Sequence, residues 1–363
     1  MVFEVKRNLS PETGEQKRST LNLREEIESR EIATLSPYAS LSAYSEGRKH
    51  PRPKDRYRTD FQRDRDRIIH SKAFRRLSHK TQVFIAPEGD HYRTRLTHTL
   101  EVAQIARAIA RTLRLNEDLT EAIALGHDLG HAPFGHAGET ALSEVLDSIQ
   151  EGYDDVPSEY HHARQALRIV DILEYDGKGL NLTRETRDGI LGHSGSYYPK
   201  TLEGQVVRIA DRIAYINHDI DDALRARILF EEDLPEAYCR VLGHTSAERI
   251  NTLITDLVTQ SEGQDRILMT PEVKTAMDGL RAFMFEHVYL MDRSAPDQPQ
   301  AKHVIESLFF HYLEHFDKVP PEFFARADHN RVQAVIDYVS GMTDRFALSE
   351  YERFFVPQSW PST

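Results

Sequence analysis

The chain is predicted to be all-α, a helical bundle with a fused C-terminal helical region. Three observations predict this. Apolar residues recur at three- and four-residue intervals over most of the length. No stretch alternates apolar and polar residues long enough to build a large sheet. Turn formers, not strands, separate the periodic segments, and there is no internal repeat or low-complexity tract.

Residues 1–54 form a polar N-terminal arm with Pro11, Gly14, Pro37 and little periodicity, read as mobile or docked on a partner. Residues 55–230 form the core. Within it, Phe61, Ile68, Ile69, Phe74 and Leu77 mark a helix over 60–80, which Pro87 and Gly89 end. Leu96, Leu100, Ala103, Ala106, Ala110 and Leu113 then line one helix face. Asn116, followed by Glu117 and Asp118, suits a helix start, and that helix should run to about Gly130, with Pro133 blocking continuation. Further helices follow from Leu142 to Ile149, from Ala166 to Leu173 and over 205–230. Residues 231–363 form the C-terminal helical region packed on the core, with helical patterns over 245–260, 272–290, 300–316 and 330–347.

At 363 residues the chain can bury a large core. A single cysteine, Cys239, excludes an internal disulfide. No apolar run approaches membrane-spanning length, so a soluble cytoplasmic protein is expected. The formal charge of -12 argues against broad adhesion to nucleic acid. Basic residues nonetheless crowd the stretch Arg63, Arg65, Arg67, Lys72, Arg75, Arg76, Lys80, Arg93 and Arg95. Most of them suit a salt-bridged helix face, and a few suit a polyphosphate clamp, because a guanidinium holds phosphate oxygens in a bidentate grip.

The densest chemistry lies in His127-Asp128-Leu129-Gly130-His131-Ala132-Pro133-Phe134-Gly135-His136-Ala137-Gly138-Glu139. An adjacent His-Asp pair offers a divalent metal one imidazole nitrogen and one carboxylate oxygen. Core packing has no use for so many titratable groups in one segment, whereas a metal-assisted hydrolase needs ligands, a proton donor and a group to orient it. His98 at the head of a helix and Asp211, an acid within an apolar stripe, complete an H…HD…D pattern.

That pattern resembles the HD superfamily of metal-dependent phosphohydrolases. The flanking segments Phe74-Arg75-Arg76-Leu77, Lys80-Thr81-Gln82-Val83, Arg93-Thr94-Arg95-Leu96-Thr97-His98 and Asp211-Arg212-Ile213-Ala214-Tyr215 resemble the deoxyguanosinetriphosphate triphosphohydrolase family, as does Asp337-Tyr338-Val339-Ser340-Gly341-Met342-Thr343-Asp344. The resemblance implies an HD-domain bundle holding one divalent metal on His98, His127, Asp128 and Asp211. Manganese, iron, cobalt, nickel and zinc all suit such ligation, and magnesium could join through substrate phosphates. It implies hydrolysis of deoxynucleoside triphosphates at the α-phosphorus to deoxynucleoside and triphosphate.

In that family frame His136 is the general acid for the sugar oxygen, with Glu139 accepting from its imidazole and raising it toward neutrality. His131 contacts the α-phosphate or the solvent on the metal. Arg95 and Arg212 bind phosphate, Gln82 and Asp219 the 3′-hydroxyl, and Tyr215 and Val83 the deoxyribose. The resemblance further implies a homo-oligomer, with a deoxynucleotide as possible activator.

The sequence departs from the family where Tyr160-His161-His162-Ala163 stands in place of Phe-Glu-His-Asn, so the base preference stays open. His193 reads as structural. Two alternatives share the four ligands: an HD phosphodiesterase or nucleotidase acting on another nucleotide, and a catalytically weak protein that senses nucleotides or binds nucleic acid.

Overall fold

A computed structural model describes residues 22–82, 93–289 and 298–357. Among these residues every regular element is helical, and extended pairing is confined to two isolated bridges, Arg48–Thr183 and Thr81–Thr94. No helix among them is long and apolar enough to cross a membrane.

Polar caps set the helix starts. Thr59 and Gln62 form a capping box on the Asp60–Ile69 helix, and Thr94, Asn116 and Thr201 accept from the third residue of the Arg95–Thr112, Glu117–Gly126 and Leu202–Arg225 helices. These four helices pack on one another, with Arg184–Gly192 against both Glu117–Gly126 and Leu202–Arg225. Phe61, Ile68, Ile109, Leu119, Ile123 and Val207 are fully buried between them. Each such aliphatic or aromatic side chain stabilises the bundle by about 1.5–3 kcal/mol. The same core takes in Leu242, Leu253 and Leu280, from the helices Glu236–Leu242, Ser246–Ser261 and Pro271–Met284. A second core joins Gly135–Ser148 to Gln298–Glu314, Arg331–Ser340 and Asp344–Phe355. The segment 127–139 lies at the seam of the two cores, since Leu129 belongs to the first and Ala132 and Phe134 to the second.

Three predicted helices are interrupted. The 60–80 segment breaks at Ser71, whose hydroxyl donates to Ile68 O at 2.7 Å and accepts from Phe74 N at 3.1 Å, ending one helix and starting the next. The 330–347 segment divides at Gly341, beyond which Thr343 caps a new helix by accepting from Phe346 N. The helix expected to reach Gly130 ends at Gly126, where a Cβ would lie 2.6 Å from Ile190 Cδ1.

The described part of the N-terminal arm is docked on the bundle. Buried carboxylates take its backbone and hydroxyl donors: Glu31 from Ser42, Glu203 from Ser40, and Glu185 from Ser45 and the Glu46 amide. Arg48 then pairs with Asp60 and Asp64 of the Asp60–Ile69 helix.

Candidate active site

With the helix ended at Gly126, His127 is its C-cap and Asp128 follows in a turn. His127 itself keeps helical φ and ψ, -62° and -42°. His127 Nδ1–H donates to Ala124 O at 2.6 Å, satisfying a last-turn carbonyl and fixing the tautomer. Its Nε2 is then a lone pair, buried and without a hydrogen-bond partner. It stands 3.2 Å from Asp128 Oδ1 and 3.7 Å from Asp211 Oδ1. Either a metal ion among these atoms or a proton on Nε2 relieves the repulsion between them. His98 comes from the first turn of its helix, with Nε2 3.1 Å from Asp211 Oδ1 and 3.9 Å from Asp128 Oδ2. Ligand atoms of His98, His127 and Asp128 all lie within 4.8 Å of one another. The His98, His127 and Asp128 donors fit a divalent ion, and Asp211 Oδ1 lies beside both imidazoles.

The electrostatics agree. Burial would raise the Asp128 carboxyl, but His127, His131 and Arg95 hold it well below its usual range. Burial likewise works against Asp211, and His98 and His127 depress it strongly. Arg95, itself buried, donates from Nη1 to Asp128 Oδ2 at 2.9 Å.

A second histidine group stands behind the first. Glu139 accepts from the His162 backbone at 3.0 Å and from its Nδ1–H at 2.9 Å. His162 Nε2 is 3.1 Å from His193 Nε2, and His193 Nδ1–H is committed to Ile190 O. His162 Nε2 also meets the Ser194 hydroxyl at 2.9 Å, and Glu139 favours a positive charge on the ring. Burial opposes that charge and Glu139 outweighs it, raising the His162 pKa, while burial lowers His193 to about 3. Ligand atoms of Asp128, His131 and His162 also lie within 4.8 Å of one another, with His162 Nδ1 already taken by Glu139. The His131 ring stacks on His162 at 3.9 Å and sets Nε2 3.2 Å from Asp128 Oδ1. Burial, with Arg95 and His162, keeps His131 neutral by driving its pKa well down.

His136 stands exposed on the first turn of the Gly135–Ser148 helix, with its ring 6.3 Å from Tyr215. Desolvation inside the cavity lowers its imidazole, Glu139 works the other way, and solvent at the open face tempers the shift. The chain enters this helix through left-handed Phe134 and Gly135 (φ 61° and 60°); a Cβ on Gly135 would lie 2.8 Å from Gln82 O.

A cavity of about 340 Å³ opens over these groups. It is lined by Gln82, Arg95, His98, Asp128, His131, His136, Asp211, Arg212 and Tyr215. Asp219 is buried two turns beyond Asp211 on the same helix, Glu139 lies behind His131, and Val83 falls outside the described residues. Of the nine clustered basic residues, Arg95 lines the cavity. Arg65 pairs with Asp118 and Glu121, Arg93 with Asp222, and Arg67 donates to the Leu180 and Asn181 carbonyls.

The lining also includes Arg208, Arg281 and Phe285, which the sequence did not single out. Arg208 carried a usable signal, being a cation in the apolar run Val206-Val207-Arg208-Ile209. It donates to the carbonyls of Gly192, Gly195 and Tyr197 and holds the loop beside His193.

This bundle and its His/Asp centre define an HD-type phosphohydrolase. The HD domain family matches residues 95–216, and the phosphohydrolase-associated domain family matches residues 267–353. The chain belongs to the deoxyguanosinetriphosphate triphosphohydrolase-like family. It is 56% identical over 341 residues to such a protein of Caldanaerobacter subterraneus subsp. tengcongensis, covering 94% of this chain and 98% of that one. Relatives from Desulfatibacillum aliphaticivorans (47%, over 93% of this chain and 99% of the other) and Clostridium perfringens strain SM101 (44%, also 93% and 99%) carry the same description.

Proposed function

We propose that this chain hydrolyses deoxynucleoside triphosphates at the α-phosphorus, releasing deoxynucleoside and intact triphosphate. The observation that carries the reading is that Arg95, Arg212 and Arg281 line the same cavity as His98, Asp128 and Asp211, so polyphosphate and metal chemistry share one space. A divalent ion held by His98, His127, Asp128 and Asp211 would supply an acidified water and neutralise charge on the attacked phosphoryl group.

The remaining steps belong to the chain. Arg212 and Arg281 bind the outer phosphates and Arg95 the α-phosphate and sugar region, while Glu139 favours positive charge on His162 beside His131. His131 orients Asp128 and faces the α-phosphate. Attack by water breaks the bond from phosphorus to the 5′-oxygen, and His136 gives that oxygen its proton. Desolvation holds His136 neutral before substrate arrives, and the polyphosphate charge then favours the imidazolium that can give this proton. Glu139 contributes negative charge to the same end while it holds His162. Gln82 has a buried Oε1 with no hydrogen-bond partner, an acceptor suited to a sugar hydroxyl. Tyr215 lies on the Asp211 helix one turn from the ligand, where its ring can lie under the deoxyribose and crowd a 2′-hydroxyl.

The test is turnover of the four deoxynucleoside triphosphates, singly and mixed, with manganese and with ribonucleotides as controls. Deoxynucleoside plus triphosphate supports the reading, and a need for the mixture adds an activating second site. Orthophosphate or pyrophosphate as product refutes it.

A further inference from the structure

The segment 337–344 belongs to the C-terminal region, far in sequence from the metal ligands, yet its polar groups end on the active-site backbone. Asp344 takes two amide donors: Thr81 N on Oδ2 at 2.8 Å and Phe134 N on Oδ1 at 2.9 Å. Lys80 is buried, with Nζ donating both to His131 O and to Ser340 O, the latter at 2.8 Å. The Lys80 carbonyl in turn accepts from Arg95 N at 3.0 Å. Asp337, fully inside, accepts from Gln165 at 3.0 Å and from Arg168 Nε at 2.8 Å, both on the helix that begins at His162. One eight-residue stretch thus grips both chain segments that carry His131, His136 and His162. It makes none of these bonds to His98, His127 or Asp211.

We propose that segment 337–344 is the positioning frame of His131, His136 and His162, with Lys80 and Asp344 as the positioning residues that pin it to the site loop. The inference rests on the reading of these histidines as working parts of a phosphohydrolase. The left-handed Phe134 must be held by something other than its own preference, since a non-glycine residue adopts that conformation at a cost. Asp344 supplies the hold through the Phe134 amide. The frame differs from ordinary packing because its bonds end on the backbone of the loop, where a shift moves the histidines first and reaches Asp128 through Arg95 and His131.

Asp344→Asn keeps the shape but leaves one acceptor oxygen for two amides, and Lys80→Met keeps the apolar stem without the donors. Tyr312→Phe is the control: it removes a buried hydrogen bond to Glu350 in the same C-terminal core, remote from the loop. Each full-length variant is measured for manganese binding, for kcat and KM of triphosphate release, and by histidine-selective nitrogen-15 NMR. Asp344→Asn and Lys80→Met should lower kcat about tenfold or more, with KM and manganese affinity changed less than about threefold. The His131, His136 and His162 ring signals should shift while those of His311 and His315 stay, and Tyr312→Phe should do neither. If Lys80→Met does not fold, Asp344→Asn decides. Equal kcat in Asp344→Asn and Tyr312→Phe, or unmoved active-site histidine signals, overturns the frame. A wild type that releases no triphosphate refutes the function reading instead, and the ring signals alone then decide the frame.

Discussion

Gly130→Ala is the sharpest probe of how the second histidine group is held. A Cβ at this position would stand 2.1 Å from His162 O and 2.3 Å from Ala166 N, where ordinary contact begins near 3.4 Å. Both obstacles are backbone, so no side-chain rotation relieves the overlap, and the His162–Arg168 helix must retreat by about 1 Å. Overpacking of this kind costs about 3 kcal/mol. For a 363-residue chain the unfolding entropy is about 0.8 kcal/mol/K, which makes the expected fall in Tm about 4 °C. The functional cost is larger. A retreat of that size stretches the 2.9 Å bond between His162 and Glu139 beyond hydrogen-bonding range. A misplacement of about 1 Å lowers kcat on the order of 100-fold. Thermal melts paired with triphosphate release measure both effects. A variant with wild-type turnover and Tm unchanged within about 1 °C would refute the claim that the His162 helix is seated against this glycine.

Other substitutions separate the remaining parts. Asp128→Ala should abolish manganese binding and turnover together, whereas His136→Ala should keep the metal and lose turnover on the order of 100-fold, as calorimetry and kinetics can check. Tyr215→Ala should raise ribonucleotide turnover relative to deoxynucleotide turnover; unchanged discrimination removes Tyr215 from the sugar pocket. Glu203 offers a pH test away from the metal. Burial raises its carboxyl, against the pull of the Asn116 and Ser40 amides, so the native state binds its proton more tightly than the unfolded chain does. The stability this lends is full below the unfolded pKa and lost as pH rises through the folded one. The Tm of Glu203→Gln relative to wild type should therefore rise between about pH 4 and pH 7, and a fall would contradict the buried setting.

The His127-Asp128 pair and the helical architecture were legible because each is local, a motif, a cap or a period, whereas His98 and Asp211 were joined to the pair by the family resemblance. Asp211 and Tyr215 sit one turn apart, which spacing alone reveals. Partnerships were not legible. Glu139 lies three residues from His136, so local spacing pairs those two, but tertiary packing brings it to His162, 23 residues away. The basic run up to Arg95 reads mostly as a salt-bridged face, and Arg65 and Arg93 do face carboxylates, but which acids they meet depends on the positions of other helices. Gly130 looked like a helix end, and the helix stops at Gly126, which packs against the Ile190 side chain. Asp344 and Thr81 are 263 residues apart, and no pattern in either segment announces their bond.

Hydrolysis in oxygen-18 water tests the central claim most directly, because it reports which atom is attacked. Attack at the α-phosphorus predicts one labelled oxygen in the released triphosphate and none in the deoxynucleoside. Label in the deoxynucleoside, or label in orthophosphate or pyrophosphate with no triphosphate formed, would contradict it.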